Sequence, residues 1–167
     1  MTDTTTAPPG WSSRPYAEQD REAVLALFEE PDFRYRTDQP DTRSAAEIVR
    51  LLGDDTQVLL ADGRVVGLWA LSAEGAEHGC HHLLTLRLST EVPDAWWRSA
   101  HHEVVRAARW RQEIVRLSVR FGSDDARGLR IARALGLTEE GVLAGVTARD
   151  GERHGLVCFS RVWSPVS

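Results

Sequence analysis

Apolar and polar positions along the chain change period several times, and those changes lay out its elements. Arg14 to Ala17 reads as a short first strand. From Asp20, a residue suited to cap a helix, Val24, Leu27 and Phe28 recur at helical spacing until Pro31 stops the run. Pro40 to Gly53 predicts a second helix. Ser44 and Glu47 have capping-box spacing, Ile48, Leu51 and Leu52 supply its apolar face, and Gly53 ends it. The period then drops to two. Gln57 to Ala61 and Val65 to Ser72 predict strands joined by Asp62-Gly63, a two-residue hairpin signal. Cys80 to Leu88 predicts another strand, with Leu84, Leu86 and Leu88 on one face.

Pro93 and Asp94 open a longer helix, in which Trp97, Ala100, Val104 and Ala108 share a stripe. Ile114 to Val119 alternates as a strand. Ser123 or Asp124 caps a helix running to Leu135, closed by Gly136. Two final strands, Gly141 to Ala148 and His154 to Trp163, meet at Asp150-Gly151. The expected order is β-α-α-β-β-β-α-β-α-β-β.

Composition narrows the function classes. The chain has 167 residues, enough for one well-filled core. Met1 to Gly10 is Thr, Pro and Ala with little to bury. We expect a flexible tail over residues 1–12 and a single domain over residues 13–167. The net charge of −5 argues against a general nucleic-acid binder, which needs a basic surface. No apolar run reaches membrane-span length and no signal-peptide pattern opens the sequence, so no membrane partner and a cytoplasmic location are expected. All 20 basic residues are Arg, which excludes a Schiff-base or P-loop lysine. Two cysteines, Cys80 and Cys158, make no disulfide framework. Cys80, His81 and His82 are adjacent and alternate across a strand, so no metal site is expected there.

Three segments carry a family resemblance. "SRPYAEQDREAVLALF" resembles the opening strand and first helix of the GNAT superfamily, the GCN5-related N-acetyltransferases. "QVLLADGRVVGLWAL" is similar to that family's second and third strands, with Gly67 at its usual glycine. "VRLSVRFGSDDARGLRIARALGLTEEGVL" is similar to its fifth strand, fourth helix and the corner into the sixth strand, here Gly136-Leu137. With the element order, the resemblance covers roughly Arg14 to Trp163. It implies a mixed, mostly antiparallel twisted sheet of about seven strands, with helices on both faces and a V-shaped splay between strands four and five. It also implies transfer of an acyl group from acetyl-CoA or another acyl-CoA to an amine. The pantetheine arm would pair with the free edge of strand four, and the pyrophosphate would sit over the N-terminus of the next helix.

The sequence departs from the family at the phosphate loop. The pattern is Arg or Gln, two residues, Gly, any residue, then Gly or Ala. The best match puts Arg98 first, and His101 and Glu103 where small residues belong; Leu88 to Val105 holds no glycine. A protonated His101 could supply charge in place of backbone contact. A Tyr common on the family's fourth helix is replaced by Ala132, and its helix-capping Asn corresponds to Asp125.

The resemblance places His82 where many members carry a general base, and an imidazole there suits deprotonation of an ammonium near neutrality. Leu86 and Leu88 (backbone), Trp97, Arg98 and Ser99 are the candidate cofactor contacts. Trp69 and Glu74 are candidates on the acceptor side, with Glu77 and His78 in the same polar turn. Two readings stay open. One is an acyl-CoA-dependent N-acyltransferase acting on a primary amine of a small molecule or peptide, with the final hairpin as an edge for a homodimer. The other is a protein that keeps the architecture without the cofactor, as a binding or accessory module or an enzyme of different chemistry.

Overall fold

A computed structural model describes residues 7–75 and 79–164 of the chain. Seven strands form one sheet: β1 (Trp11–Pro15), β2 (Gln57–Ala61), β3 (Arg64–Ala73), β4 (His81–Leu88), β5 (Arg116–Gly122), β6 (Thr138–Arg149) and β7 (Glu152–Val162), in spatial order β1-β2-β3-β4-β5-β7-β6. Every neighbouring pair is antiparallel except β4 with β5. Four helices cover it: α1 (Arg21–Phe28), α2 (Ala45–Leu52), α3 (Trp97–Arg111) and α4 (Ala126–Ala134). The expected mixed sheet with helices on both faces is therefore the observed one.

The two faces have separate cores. Leu68 and Ala70 of β3 pack with Val24, Phe28, Ile48 and Leu52 of α1 and α2. On the opposite face Leu84, Leu86 and Leu88 of β4 pack with Trp97, Ala100 and Val104 of α3 and Ile131 of α4. Alternation along β4 thus sends even-numbered side chains to the α3–α4 face. Odd-numbered ones (His81, Leu83, Thr85, Arg87) go to the α1–α2 face.

Local signals formed as read at several points. Ser44 Oγ accepts from Glu47 N–H, and the Glu47 carboxylate accepts from Ser44 N–H at 2.8 Å, closing the capping box. Both hairpin turns have positive φ at each central residue (49° and 82° at Asp62-Gly63, 52° and 79° at Asp150-Gly151), as type I′ turns require. Other boundaries moved. β1 starts at Trp11, not Arg14, because Gly10 and Asp62 exchange hydrogen bonds and Trp11 Nε1 donates to Ser99 Oγ at 2.9 Å. The α4 cap is Asp125, which accepts from Gly128 N–H at 2.8 Å, not Ser123 or Asp124. Residues 1–6 of the expected tail lie outside the described residues.

Asp20 ties β1 to α1. Its carboxylate is 4% exposed and takes both Arg14 guanidinium nitrogens at 2.6 and 2.7 Å, with Ala17 N–H at 3.0 Å. The Arg14 hydrogen bonds hold the Asp20 carboxyl below its ordinary value, against burial, which pushes it up. A depressed carboxyl stabilises the fold above its unfolded pKa of about 3.9 and loses that contribution as pH falls through the folded value. Asp20→Asn is therefore expected to cost about 2 kcal/mol at neutral pH, with the gap to wild type shrinking below about pH 4. Thermal melts across pH test this; a gap constant down to acid unfolding contradicts it.

Candidate active site: the gap between β4 and β5

The parallel pair β4–β5 is short. It runs through His81↔Arg116, His82↔Leu117 and Leu83↔Ser118 and stops. From Leu84 to Leu88, β4 has no strand partner on that side among the described residues, although β3 pairs its other edge through Leu88. Such an edge presents unpaired N–H and C=O groups to whatever enters. A cavity of about 230 Å³ lies at the opening, lined by Arg87 and Leu88 of β4, Phe121 of β5, Trp97 of α3 and the start of α4. A groove of about 300 Å³ runs between the start of α3 and the second half of α4, and Trp97 and Ile131 line both spaces. Trp96, His101 and Glu103 do not line the opening. A larger cavity, about 780 Å³, lies between α1, the β2–β3 hairpin and the turn from β4 into α3.

Arg87 spans the gap. Its Nε donates to Arg34 O at 3.1 Å, one terminal nitrogen to Leu86 O at 2.8 Å, and the other to Arg120 O at 3.2 Å. The guanidinium lies 4.7 Å from the centre of the Phe121 ring. Burial lowers its pKa from arginine's ordinary value. It bridges the α1–α2 segment, β4 and β5 where backbone pairing has ceased.

The mouth of the gap is rich in arginine. Asp94 opens a short 3₁₀ turn (Asp94–Trp96) that leads into α3. Its carboxylate takes Arg127 Nε at 2.8 Å and an Arg130 terminal nitrogen at 2.6 Å, both from α4. Arg127 also donates to Val92 O at 2.6 Å and stands 5.8 Å from the Trp97 ring centre. Burial pushes the Asp94 carboxyl up, but the two arginines outweigh it and its pKa is lowered. Beside this, the Glu30 carboxylate accepts from Thr90 N–H at 2.8 Å and from Ser89 Oγ at 2.6 Å.

The closed end of the gap carries two histidines on opposite faces. His81 is half-buried on the α1–α2 face, with Nε2 at 2.7 Å from Ser118 Oγ. His82 is buried on the α3–α4 face, and its Nδ1 has no hydrogen-bond partner among the described residues.

No family model and no curated protein matches the sequence. Solved structures do match its shape. A phosphinothricin N-acetyltransferase-like protein aligns at 16% identity and a TM-score of 0.73, over 93% of this chain and 100% of its own. A ribosomal L7/L12 α-N-protein acetyltransferase in complex with coenzyme A aligns at 14% identity and 0.74, over 91% and 93%. A ribosomal-protein-alanine N-acetyltransferase from Brucella melitensis aligns at 19% identity and 0.70, over 91% and 99%.

The fold is that of the GNAT acetyltransferases.

Within this GNAT fold the residues singled out from sequence scatter. Leu86 and Leu88 lie on the unpaired stretch of β4 with side chains in the core, and Trp97 lines both spaces of the opening. Arg98 turns away to donate to Ala134 O at 2.8 Å at the end of α4. Ser99 accepts from Trp11 and donates to Trp96 O at 2.9 Å, fastening α3 to β1. Trp69 is 2% exposed in the α3–α4 core. Glu74 accepts from Arg120 at 2.8 Å, bracing the exit of β3 against β5. His101 is no charge donor, because burial holds its imidazole down to about 4 and it is neutral at pH 7. Glu77 and His78 lie outside the described residues. Sequence reading missed Arg87, Arg127 and Arg130. Their one signal is that α4 presents Arg127 and Arg130 at a three-residue spacing, one face of a helix.

Proposed function

We propose that the chain transfers an acyl group from a coenzyme A thioester to a primary amine of a small molecule or peptide. The observation that carries this reading is the early end of β4–β5 pairing, which leaves a lined opening where an extended, amide-bearing arm can lie against β4. The residues present fit the cofactor. The unpaired edge of Leu84 to Leu88 offers backbone groups to the arm, Trp97 offers an indole to both spaces, and Arg127 and Arg130 offer cations for the phosphates. Side-chain charge thus stands where glycines would otherwise admit backbone contact. When bound, the cofactor supplies the acyl group as an activated thioester.

In this reading the protein's own groups do three things. Backbone N–H groups of β4 orient the thioester carbonyl. Leu84, Trp97 and Ile131 exclude water from the α3–α4 side. An imidazole at the closed end takes the amine proton. His82 fills the expected chain position, but it is buried on the α3–α4 face, whereas His81 is only half-buried. We therefore assign proton removal to His81, with Ser118 Oγ accepting from Nε2–H and leaving the lone pair on Nδ1.

A specific observation favours the second reading, a GNAT fold without cofactor. Asp94 already occupies Arg127 and Arg130, and Glu30 already occupies the Thr90 N–H. Titration calorimetry with coenzyme A separates the two readings. Saturable micromolar binding is expected under transfer, and no heat at millimolar ligand leaves only the second. With an amine acceptor found by thiol-release screening, His81→Ala should lower turnover by about a hundredfold or more, the usual contribution of a general base, while leaving coenzyme A affinity intact. His82→Ala with the larger loss would return the role to His82.

A further inference from the structure

We propose that Arg87 is a cofactor-arm binding residue, donating from its free guanidinium N–H groups to an amide carbonyl of the pantetheine arm. The inference rests on the acyl-CoA reading above. A guanidinium has five N–H donors. Arg87 uses three, all on main-chain carbonyls, and makes no ion pair among the described residues. Two donors therefore remain on a group that lines the cavity at the gap. Three other charged neighbours there are engaged: Arg34 with Asp124, Arg127 with Asp94, and Asp125 with the α4 N-terminus.

Position decides what the free donors meet. Pairing closes at Leu83, and Arg87 is four residues further along β4. At about 3.3 Å per residue, that is roughly 13 Å from the closed end. This is too far to touch the group being transferred. It is the outer part of the opening, through which an arm running from the mouth to the closed end must pass. The arm's secondary amides carry carbonyl acceptors. A cation hydrogen-bonded to one inside a water-poor slot is a strong contact. Anchored by three backbone carbonyls on three elements, the guanidinium is already positioned, so little side-chain entropy is lost on binding.

The opposite role, a plug that competes with the arm for Leu86 O, makes the opposite prediction. Arg87→Met keeps the aliphatic stem and removes every donor. By calorimetry its dissociation constant for coenzyme A should rise at least about tenfold, while that for adenosine bisphosphate, which lacks the arm, stays within about twofold. Unchanged or tighter coenzyme A binding overturns the proposal, as does an equal loss for both ligands. If Arg87→Met does not fold, the wild-type protein gives the answer by nuclear magnetic resonance. The Arg87 Nε–H signal should shift with coenzyme A and with pantetheine but not with adenosine bisphosphate, and a signal indifferent to pantetheine overturns it. Wild-type protein that binds neither coenzyme A nor the nucleotide defeats the acyl-CoA reading. Wild-type protein that binds both, beside an unaffected Arg87→Met, defeats this inference alone.

Discussion

Replacing Arg127 and Arg130 together with alanine is expected to weaken coenzyme A binding by at least about a hundredfold, since hydrogen bonds to charged groups contribute roughly 1.5–3 kcal/mol each. Both guanidinium groups converge on one carboxylate, Asp94, at the entrance to α3. An anion entering there meets two cations and the orphan N–H groups of the helix start. Because the interaction is largely charge, the wild type should lose affinity steeply with salt and the double variant should not. Asp94→Asn supplies the converse. It removes the resident anion, frees both arginines and should tighten coenzyme A binding. Arg127 also holds Val92 O and faces Trp97, so melting temperatures must accompany the titrations. A double variant that stays folded and binds coenzyme A like the wild type would place the phosphates elsewhere.

Gly67→Val is expected to destabilise the fold by about 3 kcal/mol, near the upper end for overpacking, lowering the melting temperature by about 6–12 °C. Gly67 lies on β3 directly opposite Leu88. A Cβ built there would stand 2.6 Å from Arg87 O and 2.6 Å from a Leu88 methyl. Nearest is main chain, which cannot swing aside as a side-chain tip can. The added methyl groups must push the outer end of β4 away from β3, toward the opening that Arg87 and Leu88 line. Coenzyme A affinity should therefore fall together with stability. A variant with wild-type melting would mean that the two strands tolerate separation. One that melts early yet binds normally would mean that the position of Leu88 does not set the width of the gap.

Local physics made the architecture readable. Asp62-Gly63 and Asp150-Gly151 needed positive φ and took it, the Ser44–Glu47 box closed, and the Trp97, Ala100, Val104, Ala108 stripe is buried as a unit. Each of these signals sits within a few residues of what it specifies. The errors came where distant contacts decide. β1 starts early because Asp62, some fifty residues on, catches Gly10. The candidate site was less legible for the same reason. Arg87 reaches Arg34 and Arg120, and Arg127 and Arg130 reach Asp94, all across tens of residues with no periodic trace. Arg98 has the right type and neighbourhood for a phosphate contact, but the end of α4 offers it the Ala134 carbonyl. Alternation along β4 did separate His81 from His82; what it could not give was which of the two would be buried.

Hydrogen exchange along β4 tests the central claim most directly, because it reads the edge rather than its consequences. In the free protein the β4 amides that face β5 beyond Leu83 should exchange faster than those paired with β3. Adding coenzyme A should slow them by at least about tenfold, as new backbone hydrogen bonds form, and adding adenosine bisphosphate should not. Amides beyond Leu83 that are already protected without ligand, or that coenzyme A leaves unchanged while it saturates, would contradict the account.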